Sequence, residues 1–333
     1  MDRTTAEKEW LRRISGGRPV APQGKPTSDQ TSDQSSSKSR PKPQPTAKKH
    51  GNGFGDIAGM EDLKQRVKEG FINVLQHRDL ADAYGIRPPS MLFYGPAGCG
   101  KTFFAEKMAE EVGIHFIKVV PDDLASTMVH GTQEKIGEVF KNAERHAPAL
   151  LFFDEFDTMV PRRTGNEYNQ HYDSEVNEFL CMLNHASDKG VYVLAATNHP
   201  ERIDKAVLRT GRIDELVYVD MPDHEARKSL FALELAKLPR EEGIDMDRLA
   251  HLTQGFNCSD INYIVKSAAR KKFNEAIGCG EHTLQNITQK QLEEIISGRS
   301  PSVSSRDLRE YQRVHREFSP KDKGGQPASI GFR

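Results

Sequence analysis

Met91-Leu92-Phe93-Tyr94-Gly95-Pro96-Ala97-Gly98-Cys99-Gly100-Lys101-Thr102 is the stretch on which the reading of this chain turns. Four apolar residues suit a buried strand. The next eight fit G-x-x-x-x-G-K-[ST], and helical spacing continues over 102–112, so strand, loop and helix stand in the order that pattern demands. Its glycines let backbone N–H groups converge on phosphate oxygens, Lys101 places a point charge between β- and γ-phosphates, and the Thr102 hydroxyl suits Mg²⁺. Pro96, Ala97, Gly98, Cys99, Gly100, Lys101 and Thr102 of this loop, with Phe103 next to it, are the expected cofactor-binding residues here. A chance glycine-rich turn would not bring all three elements into register.

A second signal is Leu150-Leu151-Phe152-Phe153-Asp154-Glu155, an apolar strand that delivers two carboxylates at its C-terminal end, where open α/β sheets bind ligands. Asp154 is placed to hold Mg²⁺ through water beside Thr102, and Glu155 to polarise an attacking water. A third apolar run, from Val191 to Thr197, ends in Asn198, whose amide can hydrogen-bond both a water and a phosphate oxygen. Taken alone, Asn198 is an ordinary turn residue. Arg209 and Arg212 stand three residues apart around Gly211. They read either as surface charge or as guanidiniums offered to a neighbouring chain, where such a group is worth about 10³–10⁵ in rate.

Around these motifs, short apolar runs at 91–94, 116–120, 150–153 and 191–195 alternate with helical spacing at 102–112, 135–145 and 174–183. Strands that are apolar throughout predict an α/β fold, a parallel sheet with helices on both faces. After Pro222 the pattern is helical only, at 225–237, 247–253, 259–276 and 289–297. The expected division is 1–53 as a tail, 54–222 as the α/β domain, 223–300 as a small all-helical lid domain, and 301–333 as a C-terminal helix and tail. The N-terminal tail carries 11 Lys/Arg against 5 Asp/Glu and is crowded with Ser, Pro and Gln, a composition that cannot bury enough surface to offset its ordering entropy. Its exception is 5–14, a short helical stretch presenting Trp10.

Across all 333 residues, 47 Lys/Arg meet 48 Asp/Glu, so net charge gives no case for nucleic acid or a membrane surface as partner. No apolar run reaches the length of a spanning helix, and four scattered cysteines with no signal peptide suit a cytoplasmic location.

Together, 95–102, 150–155, Thr197-Asn198 and 203–214 resemble Walker A, Walker B, sensor 1 and the second region of homology of the AAA ATPases. The likeness runs from about Gly55 to Phe318. It is nearest to the vacuolar-sorting, spastin, katanin and valosin-containing-protein group, whose closing helix 299–311 resembles. The resemblance implies an ATP hydrolase using Mg²⁺, built as a homohexameric ring in which Arg209 and Arg212 are arginine fingers and Lys101, Glu155 and Asn198 act catalytically. It implies nucleotide-base contacts at Asp56, Ile57, Ala58 and Gly59 and lid contacts at Cys258 and Ser259. It also implies a pore loop at Met128, Val129 and His130 that grips a protein substrate, with a basic second pore loop at 161–165.

Met128 replaces the family's aromatic, and Glu234 its ribose-contacting His. The tail would recruit an adaptor. The rival reading is an ATP-gated switch that binds a partner without threading it. Cys99 and Cys258 put thiols at the nucleotide site: either alkylation blocks binding there, or both are inert small side chains.

Overall fold

The computed structural model describes residues 51–125, 131–162, 170–209, 211–278 and 284–318. The expected helix at 5–14, the pore-loop residues Met128, Val129 and His130, and 163–165 of the second pore loop lie outside them. Five parallel strands, β1 (Met91–Tyr94), β2 (His115–Val119), β3 (Ala149–Phe153), β4 (Val191–Thr197) and β5 (Glu215–Tyr218), form one sheet in the order β2-β3-β4-β1-β5. The four strands read from the sequence are all present, shifted by two residues at most. The fifth, β5, is not among those expected. It is a four-residue edge strand paired on β1, Met91 opposite Glu215 and Tyr94 opposite Tyr218, and is too short for its pattern to stand out.

Alternation along β3 sends its side chains to two cores. Leu150 and Phe152 join a cluster with Leu63 and Val67 of α1 (Glu61–Val67) and Phe104 and Met108 of α2 (Lys101–Val112). Leu151 and Phe153 face the other way, against Phe140 of α3 (Gly131–Arg145) and Phe179 of α4 (Gln170–Ala186). A sheet covered on both faces needs strands apolar throughout, and β3 is buried at every position. Helix α1 is the larger omission of the sequence reading, although Leu63, Val67, Phe71 and Leu75 recur every four residues and are all buried. A π turn at Lys68–Ile72 underwinds the chain there, which helps a strict four-residue repeat stay on one face.

The helical region has its own core. Phe231 and Leu235 of α5 (His224–Ala236), Leu249 of α6 (Met246–Leu252), Ile261, Ile264 and Val265 of α7 (Cys258–Gly278) and Leu292 of α8 (Gln289–Ser297) form a third cluster. Side-chain caps start three of these helices: Asp223 accepts from the Ala226 amide, Asp245 from Arg248 and Thr288 from Gln291. Helix α9 (Ser305–Phe318) returns to the sheet. His315 stacks on Tyr218 with ring centroids 4.2 Å apart and shares a 2.9 Å hydrogen bond between its Nδ1 and the Tyr94 hydroxyl, at the ends of β5 and β1. No helix among the described residues is long and apolar enough to cross a membrane.

Phe153 is 1% exposed and meets Phe179 edge-on with centroids 4.9 Å apart. Phe153→Ala is expected to destabilise the fold by about 3–5 kcal/mol through the cavity it leaves. Urea unfolding monitored by circular dichroism measures this.

Candidate active site

The site grows from three strand ends. In the order β3-β4-β1, the residues just past these strands emerge side by side at the carboxyl edge of the sheet. After β1 the chain turns through Gly95, Gly98 and Gly100, with φ of 142°, 76° and 87°. Two of these positions admit only glycine on two counts. A Cβ at Gly95 would strike the Val219 carbonyl, and one at Gly98 would strike the Asn257 side chain.

Lys101 opens α2 and is 8% exposed. Its ammonium donates to the carbonyls of Gly95 at 2.9 Å and Pro96 at 2.8 Å, folding the loop around its own cation. Burial pushes its pKa down to about 8. A phosphate oxygen would give this ammonium an anionic partner in place of two neutral carbonyls.

The next residue joins loop to strand. Thr102 Oγ1 donates to Asp154 Oδ2 at 3.0 Å, and Lys118 Nζ from β2 stands 2.9 Å from the same oxygen. Hydroxyl and carboxylate oxygens side by side are a donor set suited to Mg²⁺, so the residues fit that ion. Glu155 is exposed and held at φ 52°, a left-handed conformation that costs a non-glycine residue about 1–2 kcal/mol. Such strain is typical of functional positions. At the end of β4, Thr197 bonds the buried Asp157 and accepts from the His199 amide, which fixes the turn that carries Asn198.

Lys101, Thr102, Asp154, Glu155 and Asn198 line one cleft of about 430 Å³. Of the expected residues it gathers Asp56, Ile57, Ala58, Gly98, Cys99, Gly100, Lys101, Thr102, Phe103, Asp154, Glu155, Asn198, Cys258 and Ser259. Gly59, Pro96 and Ala97 do not line it. Pro96 instead accepts from Lys101, and Ala97 from Asn257. The Asp56 carboxylate is held below its ordinary range chiefly by the Lys107 ammonium, 3.0 Å away, with help from Asn52.

Arg209 and Arg212 are also absent from the cleft. Arg209 is exposed, while Arg212 donates to the Ala206 carbonyl at 2.7 Å. Met60, Phe104, Pro222, Ala226, Leu230 and Asn262, which no local motif marks, are brought to the wall by the fold. Glu234, marked in sequence only as a departure from the family pattern, lines it too.

Residues 91–221 match the sequence profile of the ATPase family associated with various cellular activities (AAA). The chain carries an AAA domain. It is 33% identical over 273 residues to a cell division cycle protein 48 homolog of Archaeoglobus fulgidus, an alignment covering 79% of this chain and 37% of that protein. A putative cell division cycle ATPase of Plasmodium falciparum is 33% identical over 241 residues, 72% of this chain and 19% of its own length. The chain thus spans well under half of either relative. The AAA match begins at the first residue of β1 and takes in the glycine loop, Asp154, Glu155, Asn198 and both arginines. Asp56 to Ala58 and Cys258 to Ser259 fall outside it, yet the fold brings them to the same AAA cleft.

The two thiols of the AAA cleft fit the inert reading. Cys99 is fully buried and its thiol is pushed far up by desolvation; burial likewise raises Cys258, to about 12. A thiol with so little thiolate is a poor nucleophile. At pH 7.5 iodoacetamide is expected to label the exposed Cys181 first and Cys99 only after denaturant is added, as read by peptide mass spectrometry. Fast labelling of Cys99 in the folded protein would contradict this placement.

Proposed function

We propose that this protein is an Mg²⁺-dependent ATP hydrolase that assembles into a ring and uses turnover to remodel a protein substrate. The observation that carries the reading is the meeting of the glycine loop, Asp154, Glu155 and Asn198 in one cleft. Lys101 would leave the Gly95 and Pro96 carbonyls for the β- and γ-phosphate oxygens. Thr102 and Asp154 would hold Mg²⁺, Asp154 through water; the ion supplies charge neutralisation on the phosphates. Glu155 would accept the proton of the attacking water while the Asn198 amide holds that water in line.

The AAA cleft is lined by no arginine among the described residues. Transition-state charge on the γ-phosphoryl group calls for one. Exposed Arg209 supports a second copy of the chain as its recipient, with Arg212, tied to Ala206, holding the segment. A closed ring satisfies every such head-to-tail contact without leaving an open end. A substrate grip at Met128 belongs to this proposal and rests on the resemblance, whereas adaptor recruitment by the tail rests on its basic, Ser-, Pro- and Gln-rich composition.

Glu155→Gln is expected to keep ATP binding and lower phosphate release by about 10²–10⁴. Turnover near the wild-type rate would remove Glu155 from its role. Mixing Lys101→Ala with Arg209→Ala chains, each inactive alone, is expected to restore phosphate release, because one chain then supplies the cradle and the other the guanidinium. A mixture as inactive as its components would overturn the shared site.

A further inference from the structure

The glycine loop is gripped from outside by the helical region. Asn257, just before α7, is 3% exposed and works in two directions. Its Oδ1 accepts from the Asp260 amide at 2.8 Å, capping α7, and its Nδ2 donates to the Ala97 carbonyl at 3.0 Å, 160 residues away in sequence. Two residues on, the Ser259 amide donates to the Gly98 carbonyl at 3.1 Å. The Ser259 hydroxyl adds a longer bond of 3.4 Å to that oxygen. Gly98 lies so close that a Cβ there would collide with the Asn257 amide.

A trans peptide is planar, so each C=O points opposite to the N–H of the following residue. Fixing the Ala97 and Gly98 carbonyls on α7 therefore fixes the Gly98 and Cys99 N–H groups facing away from those bonds. Gly98 and Cys99 both line the cleft. In a loop of this kind the amides are the phosphate ligands, and each misdirected amide is a lost hydrogen bond.

The grip is itself anchored. The Asp260 carboxylate, 1% exposed, accepts from Arg299 Nη2 at 2.9 Å, from the Ser302 amide at 3.0 Å and from the Ser302 hydroxyl. Burial alone would raise its pKa, but the Ser302 and Arg299 hydrogen bonds hold it below the ordinary carboxylate value. The segment leading into α9 thus sets where α7 begins.

We propose that Asn257 is a positioning residue for nucleotide binding: through the Ala97 carbonyl, seconded by Ser259 on Gly98, the helical region orients the amides that hold the phosphates. This rests on the nucleotide reading of the cleft and deepens it. The helical region then governs phosphate affinity directly, and any motion that carries α7 away from the loop loosens the phosphates.

Asn257→Asp tests this, because aspartate caps a helix as well as asparagine does but turns an acceptor toward the Ala97 carbonyl. Asn257→Ser also keeps the cap and lacks the reach, so the test survives should the first variant fold poorly. Dissociation constants for ADP and AMP, by competition with a fluorescent ADP analogue, are compared with the wild-type values. ADP binding is expected to weaken at least about tenfold in Asn257→Asp and less in Asn257→Ser, as for an unmet buried carbonyl. AMP binding, with no β-phosphate to lose, changes little. Unchanged ADP affinity would overturn the proposal, and so would equal loss for ADP and AMP, the mark of a merely structural role. Wild-type protein that binds neither nucleotide would overturn the nucleotide reading itself, and this inference with it.

Discussion

The hydrogen bond from Thr102 to Asp154 ties the site together. It can form only because β1 and β3 flank β4, so that the segments leaving these strands emerge at one edge. Asn198, just past β4, comes up between the two. Strand order thus does a thing no local sequence can: it brings a hydroxyl, two carboxylates and an amide from three distant segments within reach of one ligand. The apolar character of β3 has the same root, since a central parallel strand must bury both of its faces before its end can carry charge.

Desolvation sets the chemistry at that edge. Lys101 is nearly buried and its hydrogen bonds go to two neutral carbonyls, so its charge is costly until an anion binds there. Asp154 is in the opposite position, with the Lys118 ammonium and the Thr102 hydroxyl converging on one of its oxygens. An anion beside Lys101 would improve on the neutral partners now present, while the Lys118 ammonium already marks the Asp154 oxygen as a place for positive charge. Both preferences point to a metal–phosphate ligand. Cys99 and Cys258 answer to desolvation in the other sense, which favours the neutral thiol.

Legibility in the sequence depends on range. The strand-loop-helix unit at 91–112 and the carboxylates after β3 are local patterns, and the structure places them where their spacing implies. The features that escape depend on closure of the chain upon itself. β5 exists because an edge of β1 was free to pair, and α1 because one face of the sheet needed cover. The bond from Asn257 to Ala97 spans 160 residues and leaves no trace in either neighbourhood. Arg209 and Arg212 look alike in sequence. Only the fold separates them, one exposed and the other bound to Ala206.

On this reading the edge of the sheet, closed by the helical region, would be one site for ATP and Mg²⁺. Titration calorimetry with a non-hydrolysable ATP analogue, with and without Mg²⁺, tests it most directly on wild-type and Asp154→Ala protein. One site per chain is expected, tightened by Mg²⁺ in the wild type and not in the variant. No binding, or an undiminished Mg²⁺ effect in Asp154→Ala, would contradict it.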